Sequence, residues 1–204
     1  MTKAIFTLPF VGKNFFRGIV LNSELPFGKD AAYELLKGQT YNLRRLLLCL
    51  GLRLFGVFNR LTSDERESVL IIDDSPYDRS RSKWVELLAR IWDHSTGRFL
   101  KGFRMLTICW SDGTRKDWLA LLSTDTELAD EDIVRIYGKR LDIEVFIKMA
   151  KQHLKLAKEI QCCDFDALIA HATIVFMRYM FLAYQCRMEK DQSHLWRLVL
   201  RLLR

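Results

Sequence analysis

Chain-breaking residues are scarce in this sequence: 10 glycines and 3 prolines among 204 residues. That scarcity excludes collagen-like and low-complexity chains, and an apolar fraction of 50% excludes intrinsic disorder. Spaced cysteine pairs are missing as well. The five cysteines, Cys49, Cys109, Cys162, Cys163 and Cys186, are odd in number and include an adjacent pair, so zinc-knuckle and dithiol redox motifs are out and reduced cytoplasmic thiols are expected. No secretory leader is recognisable, since Lys13 and Arg17 interrupt the apolar start. The most membrane-like stretch, 167–183, carries His171 and Arg178, which hydrocarbon would penalise, so a buried helix and no membrane partner are expected.

What the chain does have is a large apolar complement, 12% aromatic residues and a net charge of +7. This length forms one domain with accessories, or two small ones. Residues 1–61 read as a helical region. Asp30 is placed to cap a short helix that Gly38 stops, and an apolar run from Tyr41 to Phe58 follows, with Arg44, Arg45 and Arg53 open to two readings, DNA phosphates or snorkelling over a core. The texture then changes. Val69 to Ile72 reads as a buried strand with Asp73 and Asp74 at its carboxyl end, although Asp-Asp-Ser-Pro also fits an ordinary turn. The runs 84–92 and 99–110 flank Asp93 to Arg98 as a β-hairpin, and 118–122 offers one more short strand.

Helical periodicity returns from Glu131 to about Lys158 and again from Phe165 to Tyr184. At about 100° per residue, Tyr137, Arg140, Glu144 and Lys151 fall within an arc of roughly 60°. Lys148 and Lys155 lie beside them, while Ile136, Ile143, Ile147, Ala150 and Leu154 form the neighbouring apolar arc. Such a stripe is either a solvated row of helix ion pairs or, combined with strand-end acids, half of a two-metal site for phosphoryl chemistry. The remaining histidines, His94, His153 and His194, have no partner at ligand spacing, and Trp92, Trp110 and Trp118 read as packing residues.

Tyr137, Arg140, Glu144 and Lys151, at these spacings, resemble the Y-R-E-K signature of bacterial insertion-sequence transposases with a ribonuclease H-like DDE domain. The flanks 136–148, Leu70 to Ser75 and Val85 to His94 resemble that family too, and the likeness covers most of 28–192. It implies an α/β fold with a ribonuclease H-like mixed sheet between N-terminal and C-terminal helices, divided as 1–61, 62–158 and 159–204. By the same resemblance Asp73 is the first catalytic acid, with Asp74 its competitor, and Glu144 is the last metal-binding carboxylate. Asp73 and Glu144 would hold Mg2+ or Mn2+, and Tyr137, Arg140, Lys148 and Lys151 would grip phosphates of the DNA end.

One part of the family pattern is missing. Intact relatives carry a second Asp after a fourth strand, but here Trp110-Ser111-Asp112-Gly113 runs directly into 114–122, which resembles sequence far downstream, so an internal deletion near 113 is expected. Asp112 lies in a turn signal and Asp117 precedes a strand, so neither replaces the lost acid. Leu141 and Ile147 also depart from the family's usual Trp and Phe. The resemblance therefore implies a defective transposase with little metal binding, apolar surface bared by the lost helix, and a sequence-independent attraction to DNA. The alternative is a non-catalytic DNA-binding or dimerising remnant, self-associating or associating with intact transposase.

Overall fold

The computed structural model describes residues 2–22, 24–38, 41–61, 69–111 and 140–188. Five α-helices and three strands follow one another: α1 (Thr2–Thr7), α2 (Lys29–Lys37), α3 (Leu43–Leu61), β1 (Val69–Asp78), β2 (Ala89–Asp93), β3 (Arg98–Ser111), α4 (Arg140–Gln152) and α5 (Phe165–Met188). A 3-10 turn at Leu8–Val11 and a π turn at Phe16–Val20 fold the N-terminal segment between α1 and α2.

Local chemistry explains most boundaries, and several differ from the sequence expectation. Gly28, not Asp30, occupies the cap of α2, leaving Asp30 inside the first turn where its charge favours the helix N-terminus. Gly38 ends that helix as expected. The run 84–92 is strand only from Ala89, because Leu87 takes a positive φ of 56° and turns the chain beforehand. The described part of the long helix stops at Gln152, since Lys155 and Ala157 adopt left-handed conformations. The start of that expected helix, 131–139, and the expected strand 118–122 lie outside the described residues.

The sheet has the order β1-β3-β2 and both described pairings are antiparallel, with Val69 opposite Ser111, Asp73 opposite Thr107, and Trp92 opposite Phe99. The hairpin expected at Asp93 to Arg98 is present, and Gly97 at φ 63° supplies its left-handed residue. β1 does not end at the acids. It runs on through Pro76, which an edge strand tolerates because no ladder N–H is needed on its open side, so Asp73 and Asp74 are mid-strand rather than strand-end residues. The result is a mixed α/β architecture built on a three-stranded antiparallel sheet.

One core serves all three sequence divisions. Of the apolar arc read from the sequence, Ile143, Ile147 and Ala150 of α4 and Leu154 just beyond it are buried together with Ile5, Leu8, Leu35, Leu36, Ile174 and Leu182, while Ile136 lies outside the described residues. α5 is long and apolar enough to cross a membrane by length and composition, yet 56% of its most apolar window is buried inside the protein. Two of its polar residues explain why it sits there. Arg178, with 0% exposure, donates two hydrogen bonds to Glu159 (2.6 and 2.9 Å) and further bonds to the carbonyl oxygens of Ile5 and Phe6, while His171 approaches the same carboxylate at 3.5 Å. All five cysteines are free thiols.

The two faces of the sheet differ. Ile71, Asp73, Ser75 and Tyr77 alternate with outward residues along β1 and share the covered face with Phe103, Met105, Thr107 and Cys109 of β3. On the opposite face Leu70, Ile72, Leu106 and Ile108 are each between 62% and 69% exposed. At the end of that face Phe55 and Phe58 of α3 pack against Trp110 at centroid distances of 5.2 and 6.3 Å.

Candidate functional site

Strand alternation separates the two acids of β1. Asp73 lies on the covered face, half-buried, and accepts a hydrogen bond from the Ser75 hydroxyl at 2.9 Å, two residues along the same face. Its cross-strand partner Thr107 is only 2% exposed, and the Thr107 hydroxyl has no hydrogen-bond partner. Asp74 points the other way, exposed, and is held by Arg104 at 2.9 Å. Of the two competitors, Asp73 is the one on the face that α4 covers.

The position of α4 is fixed at its start by a hydrogen bond from the Ser111 hydroxyl to Asp142, at the Val69 end of β1. Lys151 lies nine residues further along α4, and it senses the acids of the sheet: burial pushes its ammonium below the usual lysine range, and the charges of Asp93, Asp73 and Asp78 pull it back upward. Asp93, at the base of the hairpin turn, receives the Ser95 hydroxyl at 2.5 Å and the Thr96 hydroxyl at 2.8 Å, and these bonds hold its carboxyl below the usual range.

Glu144 shares the Lys151 stripe but sits two turns, ~10 Å, nearer the Ser111 end, and it is exposed. Lys148 is exposed one turn on. Arg140 opens α4, with its side chain outside the described set, and Tyr137 lies outside the described residues altogether. Asp112 and Asp117 are outside them too. The described residues thus put Asp73, Asp78 and Asp93 within electrostatic range of Lys151, with Glu144 two turns nearer the start of the helix. Among the described residues no group of three His, Cys, Asp or Glu side chains is arranged to hold a metal ion.

That donor set does not fit a pair of divalent ions. A two-metal site needs bridging carboxylates that compensate the repulsion between the cations, whereas here an ammonium already occupies the field of the three acids. Covalent chemistry through the nearby thiol is not favoured either. Burial pushes Cys109, on the same sheet face, up to about 11, so it is a thiol at neutral pH.

Two elements of this site escaped the sequence reading. Asp93 was visible only as part of a turn, and its link to Lys151 depends on how the hairpin is carried past Gly102, where Cβ of any other residue would overlap the Tyr77 carbonyl oxygen. Glu159 was not singled out, although the buried cation Arg178 on the apolar helix was a signal that a carboxylate had to be found for it. No family model, curated protein or solved structure matches this chain.

Proposed function

We propose that the chain is a defective DDE-type transposase of a bacterial insertion sequence, one that keeps an attraction for DNA and has lost strand cleavage and transfer. The observation that carries this reading is that Lys151, the last residue of the Y-R-E-K spacing, feels the charge of Asp73 on the covered face of β1. A strand acid facing a helix stripe is the juxtaposition that the resemblance calls for. In intact relatives Mg2+ or Mn2+ held by the carboxylates activates the attacking oxygen; here the Lys151 ammonium stands among the strand acids, so no catalytic step is assigned to this chain. Lys148, exposed on the same helix, is free to meet a phosphate, and Lys151 would do so at the cost of its acidic neighbours.

The non-catalytic remnant is favoured over a weakly active enzyme by one observation, the Lys151 ammonium standing in the field of Asp93, Asp73 and Asp78. On that reading the chain works in the cytoplasm by occupying DNA ends or by joining intact transposase. An end-cleavage assay with Mg2+ on transposon-end DNA tests it, run beside Asp73→Ala and Glu144→Ala. No cleavage by any of the three is expected, whereas cleavage abolished by both substitutions would overturn the assignment of inactivity.

A further inference from the structure

Most of the chain's excess positive charge sits in one short stretch. Residues 79–104 hold seven cations (Arg79, Arg81, Lys83, Arg90, Arg98, Lys101, Arg104) and two carboxylates (Glu86, Asp93), a surplus of five within a chain whose whole surplus is +7. Both carboxylates are engaged: Glu86 accepts the Phe165 backbone N–H at 3.1 Å, and Asp93 is buried beneath Ser95 and Thr96. Arg79 is buried on the carbonyl oxygens of Ile160 and Cys162, and Arg104 is taken by Asp74 and the Trp92 carbonyl. The other five cations, Arg81, Lys83, Arg90, Arg98 and Lys101, are exposed and make no ion pair with any described residue.

Aromatic rings are interleaved with them. Trp92 and Phe99 are cross-strand partners on the β2–β3 ribbon, with rings 4.9 Å apart edge to face, and the Arg90 guanidinium lies 4.1 Å from the Phe99 centroid. Arg90 and Lys101 are the next pair but one along the same face. Phe99 is 55% and Trp92 38% exposed, and Trp84 on the preceding loop is 67% exposed. Burial does not account for three open rings among five unpaired cations. The combination fits a partner that offers phosphates and unstacked bases together. Duplex DNA offers the phosphates and hides the base faces.

We infer that the β2–β3 ribbon is a binding surface for single-stranded nucleic acid, with Arg90 and Lys101 on phosphates and Trp92 and Phe99 on bases. This surface lies on different elements from the α4 stripe and does not depend on the transposase reading.

The test is fluorescence anisotropy of the full chain with labelled oligo-dT of ~16 nucleotides and with a duplex of equal length. Wild type is expected to bind oligo-dT, and Trp92→Leu with Phe99→Leu, which keeps apolar bulk and removes the rings, to weaken that binding about tenfold while changing duplex binding less. Arg90→Gln with Lys101→Gln replaces two exposed cations and is expected to reduce the salt slope by about 1.4. If the ring variant loses its fold by circular dichroism, the cation variant carries the test alone. Undiminished oligo-dT binding by a folded ring variant, an unchanged salt slope in the cation variant, or no oligo-dT binding by wild type would overturn the inference. Lys148→Gln with Lys151→Gln interrogates the α4 stripe separately, so failure of one surface does not stand for failure of the other.

Discussion

Arg178 and Glu159 form a two-pronged ion pair in the centre of the protein, joined by hydrogen bonds of 2.6 and 2.9 Å and sealed from solvent. The remaining donors of Arg178 reach the carbonyls of Ile5 and Phe6, so one side chain ties the loop after α4 and the N-terminal segment to α5. Removing one member leaves the other charge buried alone. Glu159→Ala and Arg178→Ala are each expected to cost about 3–5 kcal/mol in urea unfolding. Glu159→Leu with Arg178→Met should cost less than the sum of the single changes.

His171 packs against this pair, facing Glu159, Arg178, Arg79 and the Lys155 backbone, and burial with the Arg178 charge lowers it from 6.5 to about 3. Its folded value is depressed, so the stability it contributes is complete above pH 6.5 and is lost as pH falls towards 3. The slope is about 1.4 kcal/mol per pH unit in that window. Glu159 opposes it: burial raises its carboxyl, and a raised acid favours the folded state as pH falls. Thermal melts between pH 7 and 4 should therefore flatten in His171→Gln relative to wild type, and equal slopes would refute the account.

The acids around Lys151 can be read through its reactivity. Asp93, Asp73 and Asp78 each raise the Lys151 value against the effect of burial, in that order. Asp93→Asn should lower it most, leave more neutral amine at pH 8, and speed acetylation at that residue as followed by peptide mass spectrometry. Asp78→Asn should do so least. Slower acetylation in Asp93→Asn would contradict the arrangement.

Leu70, Ile72, Leu106 and Ile108 present an apolar sheet face to solvent. Ile72→Lys and Leu106→Lys, on neighbouring strands, are expected to raise solubility and reduce binding of a hydrophobic dye without lowering the melting temperature by more than a few degrees. A large loss of stability would mean that this face is covered.

Gly102 meets the Tyr77 carbonyl, and Gly97 holds a φ of 63°. Gly97→Ala should cost about 1 kcal/mol through backbone strain alone. Gly102→Ala should cost more, since backbone must move to admit the methyl group.

How much of this was legible in the residues follows physical lines. Short-range signals carried well: Gly38 ended a helix, Gly97 made a hairpin, and Ile143, Ile147 and Ala150 became the buried side of α4. Alternation along β1 would also have told Asp73 from Asp74, had the strand been extended past them through Pro76. What stayed hidden depends on distant pairing. The meeting of Asp93 with Lys151 joins a hairpin to a helix some 60 residues on. Glu159, in an irregular stretch with no periodicity, gave no sign that it would answer Arg178. The Y-R-E-K spacing spoke for the stripe alone and was silent on the axial level at which each member meets the sheet.

The bonds from Arg178 to the carbonyls of Ile5 and Phe6 span 173 and 172 residues. A ribosome making this chain releases α1 long before the clasp for it exists. That helix must wait, loosely held, until α5 has been synthesised, and closing so large a loop makes it a late event in folding. Nascent chains stalled before α5 should therefore show an N-terminal segment open to proteases, and it should gain protection once α5 has emerged.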